Sequence, residues 1–156
     1  MAWDPLRGWR AIAVYGRGQK YVVTSARRYG YGPDYRTPPY IIVRRGASDE
    51  EFGNAIIEAM EAYTVMAEPP SDEVVDAAAR ELFEVVGVAD DRAFARGASL
   101  VHVEERKRKW SVQPWGRTHG SWHPLNEDTF IELASPAPSE IGEAVRTAFV
   151  VLRGHP

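Results

Sequence analysis

The segments EFGNAIIEAM, residues 51–60, and EIGEAVRTAF, residues 140–149, repeat one pattern at an offset of 89 residues. At the same offset the apolar segment 40–42 aligns with 129–131, and no gap is needed between the segments. Two amphipathic helices can match by chance, but chance does not also keep the preceding apolar segments in register. The sequence therefore predicts an internal repeat, in which each copy ends in one of these helices.

Each half is predicted to form three strands followed by a helix. The strands are expected where β-branched and aromatic residues cluster between Gly and Pro, near residues 11–15, 20–25, 40–44, 100–104, 109–113 and 129–133. Ser48 and Glu51 are spaced as a capping box for the first helix, and Pro138 suits the first position of the second. Gly53 and Gly142 occupy matching positions inside these helices, where we expect them to allow a close approach of helix to sheet.

A third helix is predicted between the two halves, in EPPSDEVVDAAARELFEVVG, residues 68–87. Ser71 is placed as its N-cap, and its apolar face comprises Val75, Ala78, Ala79, Leu82 and Val86. A short turn at residues 90–96 is expected to lead into the second half. The predicted fold class is therefore α+β, with two βββα-like repeats packed as one domain over residues 1–156. The repeat halves span 10–63 and 99–152 and are joined by an acidic helical connector at 64–98.

Composition is compatible with a protein of the reducing cytoplasm. The chain of 156 residues has no cysteine, which excludes disulfides and thiolate chemistry. The first residues, MAWDPLRGWR, lack the apolar segment of a signal peptide, and no apolar stretch approaches the length of a membrane span. We therefore expect a cytoplasmic protein, of a size that fits one domain.

The formal net charge of −3 conceals an uneven distribution. Residues 1–46 carry nine basic and two acidic side chains, residues 47–91 carry one and thirteen, and residues 92–156 carry nine and seven. The central block therefore has a net charge of −12, with Arg80 as its one cation. A folded surface of that sign attracts cationic partners and repels nucleic acid, although many acidic helix faces are simply solvated.

Motifs that suggest an enzyme are better explained structurally. GRGQK, residues 16–20, resembles part of a phosphate-binding loop, but a strand rather than a helix follows it. His119 and His123 have the i, i+4 spacing of zinc ligands, but they lie in a predicted loop without a third ligand. No GxSxG element is present. We therefore predict a protein that is not an enzyme and that binds no metal or cofactor.

Two segments rich in aromatic residues follow the second strand of each half. RRYGYGPDYRTPP, residues 27–39, and GRTHGSWHPLNED, residues 116–128, are aligned by the repeat and are long for connections between strands. Exposed Tyr and Trp provide contact area at a low entropic cost, which favours a protein interface. Some of these rings are expected to fold back onto the core, Trp115 and Tyr40 first.

The order of elements resembles the immunity proteins of contact-dependent growth inhibition (CDI) systems. The resemblance is to the larger group of this family, which carries two copies of a helix with the pattern S-D-E-E-[LF]-G-x-A-[LI]-x-E-A. Here the copies are residues 48–59 and, less well preserved, 138–149. Residues 79–114 also resemble the central helix, short turn and following strands of the family, and the similarity extends over residues 9–152. The sequence departs from the family at Pro138 and Ser139, where the acidic cap is absent, and in the tyrosine-rich segment.

This resemblance implies a cytoplasmic antitoxin that binds the C-terminal toxin domain, commonly a nuclease, of a cognate CDI effector. The acidic block suits the cationic cleft of a nuclease, and the aromatic segments suit a specific interface. Two candidate toxin-binding surfaces follow: an acidic helical face with Glu58, Glu61, Asp72, Glu73 and Asp76, and the aromatic loops with Tyr29, Tyr31, Asp34, Tyr35, Trp122 and His123. We expect the loops to anchor the complex and the acidic face to speed its formation. The protein is expected to be a monomer or weak dimer with no nucleic-acid or membrane partner.

Two other functions compete with this interpretation. A nucleic-acid-binding module could use the basic segments at residues 17–20 and 106–109 with Tyr and Trp for stacking, although the acidic helices argue against it. A small hydrolase could use His119, His123 and Asp34. Salt-dependent binding of RNA or DNA would favour the first alternative, and bound zinc would favour the second.

Overall fold

The computed structural model describes residues 6–154, and within them eight strands and four helices form a mixed α+β fold, as predicted. The first half contains β1 (Trp9–Arg17), β2 (Lys20–Tyr29), β3 (Asp34–Arg44) and α1 (Asp49–Glu61). The middle of the chain contains β4 (Thr64–Met66), α2 (Asp72–Val86) and α3 (Asp91–Ala95). The second half contains β5 (Ala98–Arg106), β6 (Lys109–Thr118), β7 (Ser121–Pro124), a 3₁₀ turn (Glu127–Thr129), β8 (Ile131–Ala134) and α4 (Pro138–Arg153). In this part of the chain no helix has both the length and the apolar character that crossing a membrane requires.

The element boundaries bear on the predicted repeat. The strands β1 and β5, the strands β2 and β6, and the helices α1 and α4 each begin 89 residues apart. The third strands differ, because the place that corresponds to β3 is shared by β7, the 3₁₀ turn and β8. The two-repeat arrangement therefore stays an interpretation of the sequence.

The strands form one sheet in the order β3-β2-β1-β5-β6-β7, with β4 beside β2 and β8 beside β6. Neighbouring strands are antiparallel except β4, which runs parallel to β2. The central strands β1 and β5 pair from Trp9 opposite Arg106 to Arg17 opposite Ala98. The strand β4 pairs with residues 27–29 of β2, beyond the point where the pairing of β1 with β2 ends, so it extends the sheet at the end of β2.

The helices α1 and α4 lie together on one face of the sheet, called here the helix-pair face. Each helix buries six residues: Phe52, Gly53, Ala55, Ile56, Ala59 and Met60 in α1, and Ile141, Gly142, Ala144, Val145, Ala148 and Phe149 in α4. They pack against alternate strand residues that include Ile12, Val14, Tyr21, Val23, Val101, Val103 and Val112. The helical spacing of apolar residues in the sequence predicts these faces as Phe52, Ala55, Ile56, Ala59, Met60 and Tyr63 in the first helix and Ile141, Ala144, Val145, Ala148, Phe149 and Leu152 in the second. The packing confirms both faces, with Leu152 half-buried.

Gly53 and Gly142 lie where α1 and α4 cross, so the prediction of a close approach to the sheet was wrong. A Cβ atom on Gly53 would lie 1.7 Å from the carbonyl oxygen of Pro138, and a Cβ atom on Gly142 would lie 2.0 Å from that of Asp49. Neither position can hold a side chain without separating the helices. The two glycines therefore permit a close approach of helix to helix, which a sequence pattern alone cannot distinguish from an approach to strands.

The two helices are capped by different halves of the capping box. Ser48 Oγ accepts a hydrogen bond from the Glu51 N–H at 3.1 Å, at the start of α1. At the start of α4, Glu140 Oε1 accepts from the Ala137 N–H at 2.9 Å. Because Ala137 has no side-chain oxygen, the glutamate alone makes the capping bond there.

The helices α2 and α3 lie on the opposite face of the sheet, called here the connector face. Its buried core consists of Tyr15, Val22, Leu82, Phe94 and Leu100. Of the residues Asp72–Val86, all of which the structure describes, Leu82 alone is buried; the other residues of the predicted apolar face are half-buried. Val74 and Val85 are 50% and 43% exposed. The helix α2 is therefore packed less deeply than its sequence predicts.

The first of the two predicted aromatic loops is a hairpin. The strand β2 continues to Tyr29 and β3 begins at Asp34, which leaves a turn of residues 30–33. Pro38 and Pro39 fit into β3 because it is an edge strand and because its register with β2 shifts between Thr24 and Ser25. The prediction was wrong because Gly and Pro were interpreted as the ends of strands.

The second predicted loop contains a shorter hairpin. The strand β6 continues to Thr118, and β7 returns after a turn at His119 and Gly120. His119 has a positive φ of 52°, as has the neighbouring Gly120 with 82°. Of the remaining residues of this segment, Glu127 and Asp128 belong to the 3₁₀ turn before β8, and Asn126 is its N-cap.

Candidate functional site

The β2–β3 connection, residues 29–35, presents tyrosines at one end of the sheet and is called here the tyrosine hairpin. Tyr31 is 70% exposed, and the side chains of Tyr29, Asp34 and Tyr35 are half-buried. The Gly30 N–H donates to the carbonyl oxygen of Met66 at 3.2 Å, which ties the turn to β4. The hairpin is therefore hydrogen-bonded to β4 at Gly30 and exposes the ring of Tyr31 to solvent.

A cluster of polar and aromatic side chains lies at the base of the tyrosine hairpin. The Tyr63 hydroxyl donates to Asp34 Oδ1 at 2.9 Å. Burial raises the pKa of Asp34, and the hydrogen bond from Tyr63 and the charge of Arg28 oppose part of that rise. Burial likewise raises the pKa of Tyr63. The ring of Trp9 lies edge-on to Tyr63 at 6.3 Å and 5.7 Å from the guanidinium of Arg28.

The β6–β7 connection, residues 117–124, is called here the tryptophan hairpin, and its large ring folds inward. Trp122 is half-buried on the connector face, where its ring centre lies 6.5 Å from that of Tyr15. The guanidinium of Arg117 lies 5.6 Å from the Trp122 ring. His123 is exposed, and its Nε2 lies 2.7 Å from Thr118 Oγ1. Of the two candidate residues in this hairpin, His123 is therefore exposed and Trp122 packs against the fold.

Trp115 and Tyr40, the rings expected to fold back first, do so. Both are half-buried and pack against the core of the connector face. The Tyr40 hydroxyl donates to the carbonyl oxygen of Ala78 in α2 at 2.8 Å, and burial raises the pKa of Tyr40 to about 12. Tyr40 thus helps to hold α2 against β3.

The two hairpins lie at opposite ends of the sheet. The strand β2 is antiparallel to β1, β1 to β5, and β5 to β6, so β2 and β6 run in opposite directions. Because each hairpin turn follows the C-terminal end of its strand, the two turns project from opposite ends. The aromatic segments therefore do not form one surface, which corrects the prediction of a single aromatic anchor.

The fold does not bring together the residues of either alternative function, the small hydrolase or the nucleic-acid-binding module. Asp34 lies at the end of the sheet that carries the tyrosine hairpin, and His119 and His123 lie at the other end. The basic turn at 17–20 and the basic turn at 106–109 are likewise at opposite ends, because they close the antiparallel pairs β1–β2 and β5–β6. Among residues 6–154, no three His, Cys, Asp or Glu side chains are placed to hold a metal ion.

The predicted acidic face is also divided. Glu58 and Glu61 are exposed on α1, on the helix-pair face, whereas Asp72, Glu73 and Asp76 are exposed on α2, on the connector face. The acidic block is continuous in sequence but not on the surface. The part on α2 adjoins the half-exposed Val74, so this helix presents acidic and apolar groups together.

Three arginines that the sequence did not single out as structural fasten α3 to the sheet. Arg36 Nη2 donates to Asp91 Oδ1 at 3.1 Å, and its guanidinium lies 5.5 Å from the Phe94 ring. Arg17 and Arg117 donate to backbone carbonyl oxygens of α3 at 3.1–3.4 Å. Arg17, a candidate for phosphate binding, is therefore engaged within the fold.

Comparisons with known proteins give a match to one protein family and matches in fold to solved structures. The sequence profile of the family described as "CDI immunity protein" matches residues 10–151. Among solved structures, the chain is similar to a protein of unknown function from Neisseria meningitidis, with a TM-score of 0.77, 14% identity, and coverage of 97% of this chain and 99% of that one. It is also similar to a chain of the CdiA-CT/CdiI toxin and immunity complex from Yersinia pseudotuberculosis, with a TM-score of 0.73, 15% identity, and coverage of 91% and 96%. No curated protein matches the sequence. At these identities the two structural matches show a shared fold.

Proposed function

Because the chain belongs to the CDI immunity protein family, whose profile covers residues 10–151, we propose that it binds and neutralises the C-terminal toxin domain of a cognate CDI effector. The family match over most of the chain is the observation that carries the proposal. The similarity in fold to a chain of a toxin and immunity complex supports it. In this proposal the protein acts in the cytoplasm by binding, without catalysis, as a monomer or weak dimer.

The toxin is proposed to be a nuclease. A nuclease holds phosphates in a cationic cleft, and an inhibitor of such a cleft benefits from negative charge. The net charge of −12 over residues 47–91 supplies that sign. Since the same charge repels nucleic acid, the inhibitor would not compete for the substrate of the toxin.

The tyrosine hairpin is the proposed anchor of the complex. Aromatic side chains that become buried at an interface supply much of its affinity, and Tyr31 is the most exposed of the large apolar side chains within residues 6–154. Trp122 is assigned instead to the chain's own packing, because it already contacts Tyr15 and Arg117. The proposed anchor therefore comprises Tyr29, Tyr31, Asp34 and Tyr35.

The helix α2 is proposed as the surface that speeds association. It exposes Asp72, Glu73 and Asp76 beside Val74. Charges of one sign on an exposed helix steer a cationic partner over a distance of about the Debye length, roughly 8 Å at physiological salt. Glu58 and Glu61 lie on the opposite face of the sheet and would contribute less.

The two halves are proposed to be copies of one unit that together form a single domain. Gly53 meets Pro138 and Gly142 meets Asp49, and each residue of the second contact lies 89 residues from its counterpart in the first. A reciprocal contact of this kind is what two equivalent helices related by an approximate twofold axis would make. The equal offsets of β1 and β5 and of β2 and β6 support the same proposal.

Co-expression with the toxin domain encoded by the neighbouring reading frame tests the proposed function. We expect a one-to-one complex in a pull-down and in size-exclusion chromatography, and survival of cells that otherwise die from the toxin. A toxin domain from an unrelated CDI system is the matched control and should be neither bound nor neutralised. Failure to form a complex at about micromolar concentration would contradict the proposal, since natural inhibitors bind far more tightly. If the toxin is bound but degrades no nucleic acid, the nuclease assignment alone is wrong.

A further inference from the structure

Arg28 is a buried cation, and two of its guanidinium nitrogens have no hydrogen-bond partner within residues 6–154. The residue is 4% exposed, and among residues 6–154 its Nε and Nη1 atoms have no acceptor. None of the ion pairs within this part of the chain involves Arg28. The guanidinium makes a cation–π contact with Trp9, whose ring centre lies 5.7 Å away. Since guanidinium groups carry five N–H donors and stay charged, a buried one without an acceptor is costly.

Asp34, a candidate counter-ion for Arg28, accepts a hydrogen bond from another residue. It lies directly opposite Arg28 in the β2–β3 pair. Its Oδ1 atom accepts the hydrogen bond from Tyr63 instead. The charges of Asp34 and Arg28 still act on each other. The Nε and Nη1 atoms of Arg28 nevertheless have no acceptor among residues 6–154.

Three other arginines of this fold form ion pairs with carboxylates. Arg10 contacts Glu105 at 2.9 Å, Arg36 contacts Asp91 at 3.1 Å, and Arg146 contacts Asp49 at 2.8 Å. Each of these arginines is more exposed than Arg28, which is the one arginine buried within the described part of the chain. Arg28 is thus the most costly to leave unpaired, and yet it forms no ion pair with a carboxylate of residues 6–154.

We propose that Arg28 receives a carboxylate side chain of the toxin, which enters at the tyrosine hairpin. This inference rests on the proposed function and names the chemistry that the partner presents to its anchor. A planar guanidinium binds a carboxylate through two parallel N–H···O bonds, which fixes the orientation of the partner as well as adding affinity. The Trp9 ring lies 5.7 Å from the guanidinium, and Asp34 of the tyrosine hairpin lies opposite Arg28 in the sheet, so the proposed point of entry is this hairpin.

In this proposal the turn of the tyrosine hairpin changes conformation to admit the side chain, and the hydrogen bond from Gly30 to Met66 keeps its base in place. The orphan nitrogens of Arg28 are not exposed in the free protein. Tyr31 is 70% exposed and lies between Gly30 and Gly32, whose lack of a side chain lets the turn change conformation at low cost. A toxin that is cationic at its cleft would therefore be acidic at this one contact.

Replacement of Arg28 by methionine tests the proposal against a purely structural role. We expect R28M to unfold at the same or a higher temperature, because an unpaired buried charge is removed, while its affinity for the neighbouring toxin domain falls about tenfold or more. R28K should bind with intermediate affinity. Arg27 is the matched control, since it is adjacent, exposed and equally charged, and R27M should change affinity by less than about threefold.

A double-mutant cycle identifies the partner's acid. One Asp→Asn or Glu→Gln substitution in the toxin should weaken binding to the wild-type protein but not weaken binding to R28M further. The proposal is overturned if R28M binds as tightly as the wild type. It is equally overturned if R28M loses affinity only in proportion to a lower unfolding temperature, because Arg28 would then serve the fold.

A second measurement does not depend on the toxin. With sodium acetate as the probe, the Nε–H resonance of Arg28 in a ¹⁵N spectrum should shift, whereas sodium chloride of equal ionic strength should leave it in place. Absence of a shift with acetate overturns the carboxylate site. If acetate shifts the resonance but the wild-type protein does not bind the toxin domain, the site is supported and the proposed function is what fails.

Discussion

The two faces of the sheet carry helices that are held in very different ways. On the helix-pair face, α1 and α4 bury six residues each and cross at two glycines. On the connector face, α2 buries Leu82 alone among its described residues and leaves Val74 half exposed. The helix α3, with only five residues, is attached by its buried Phe94 and by Arg17 and Arg117, which donate to its carbonyl oxygens.

This difference fits the proposal that stability and recognition are assigned to different faces. A face that is filled by tightly crossed helices contributes most of the buried apolar area and tolerates few substitutions. A face that holds an acidic helix by one buried leucine can expose charge and apolar groups to a partner at little cost in packing. Four predictions test this difference between the helix-pair face and the connector face.

Gly53→Ala is expected to have the largest effect, because it forces apart the helices of the helix-pair face. The new methyl group would lie 1.7 Å from the carbonyl oxygen of Pro138. We expect the free energy of unfolding to fall by about 3 kcal/mol or more, and Gly142→Ala to act similarly. Urea denaturation measures both. The control is Gly46→Ala, where a Cβ meets open space and the change should be under about 1 kcal/mol. Equal effects at Gly53 and Gly46 would show that the helices do not cross so closely.

Leu82→Ala tests the connector face in the same way. Leu82 and Ile56 are both completely buried, and either substitution by alanine should cost about 2–4 kcal/mol. The expected difference is in where the structure opens. In hydrogen exchange, L82A should deprotect the amides of α2 while those of α1 keep their protection, because Leu82 is the main attachment of α2. I56A should lower protection across the whole sheet, and a uniform loss in L82A would contradict the comparison.

Aromatic substitutions at the two hairpins separate recognition from packing. Tyr31→Ala combined with Tyr35→Ala should weaken toxin binding by about 2 kcal/mol or more, mainly through faster dissociation, with folding intact. Trp122→Ala should instead lower the free energy of unfolding, because its ring packs against Tyr15 and Arg117. Surface plasmon resonance and denaturant titration measure the two quantities. A W122A protein that folds normally but releases the toxin quickly would move the anchor to the tryptophan hairpin.

The smallest effect is expected from removing charges on the two faces. Glu73→Gln with Asp76→Asn removes two charges from α2, and Glu58→Gln with Glu61→Gln removes two from α1. The α2 pair should lower the association rate severalfold and flatten its dependence on salt, while the α1 pair should change it less. Stopped-flow association at two salt concentrations decides between them. A larger effect from α1 would place the toxin over the helix-pair face.

Much of the secondary structure was predictable because its signals are local. Ser48 and Ser71 do accept the capping bonds at the starts of α1 and α2, and Pro138 does begin α4. The apolar spacing of α1 and α4 identified their buried faces correctly, since helical periodicity depends on neighbours within four residues. The same reasoning overestimated the burial of α2, because spacing shows which face is apolar but not how much sheet is available to cover it.

The sequence identified candidate residues for the toxin-binding site, but it did not predict where the fold places them relative to one another. Tyr31 is exposed as expected, but Trp122 is drawn into the connector face by Tyr15, more than a hundred residues away in sequence. Arg28 gave no signal in the sequence, because nothing local distinguishes it from the exposed Arg27 beside it. Its burial depends on Trp9 and on the residues around Asp34 and Tyr63, which only the folded chain assembles.

The sequence by itself determined the family, the capped helices, the apolar faces of α1 and α4, and the uneven charge, since each of these is a property of residue order over a short span. The tertiary structure alone decided which helices share a face, which ends of the sheet carry the two hairpins, and that Gly53 meets α4 rather than a strand. The physical reason is that strand direction and helix placement are set by pairings such as that of β1 with β5, between residues about ninety apart in the chain. A pattern of residues that are close in sequence carries no information about a partner so far away in the chain. The two hairpins that the repeat aligns could therefore be expected to meet, but they project from opposite ends of the sheet.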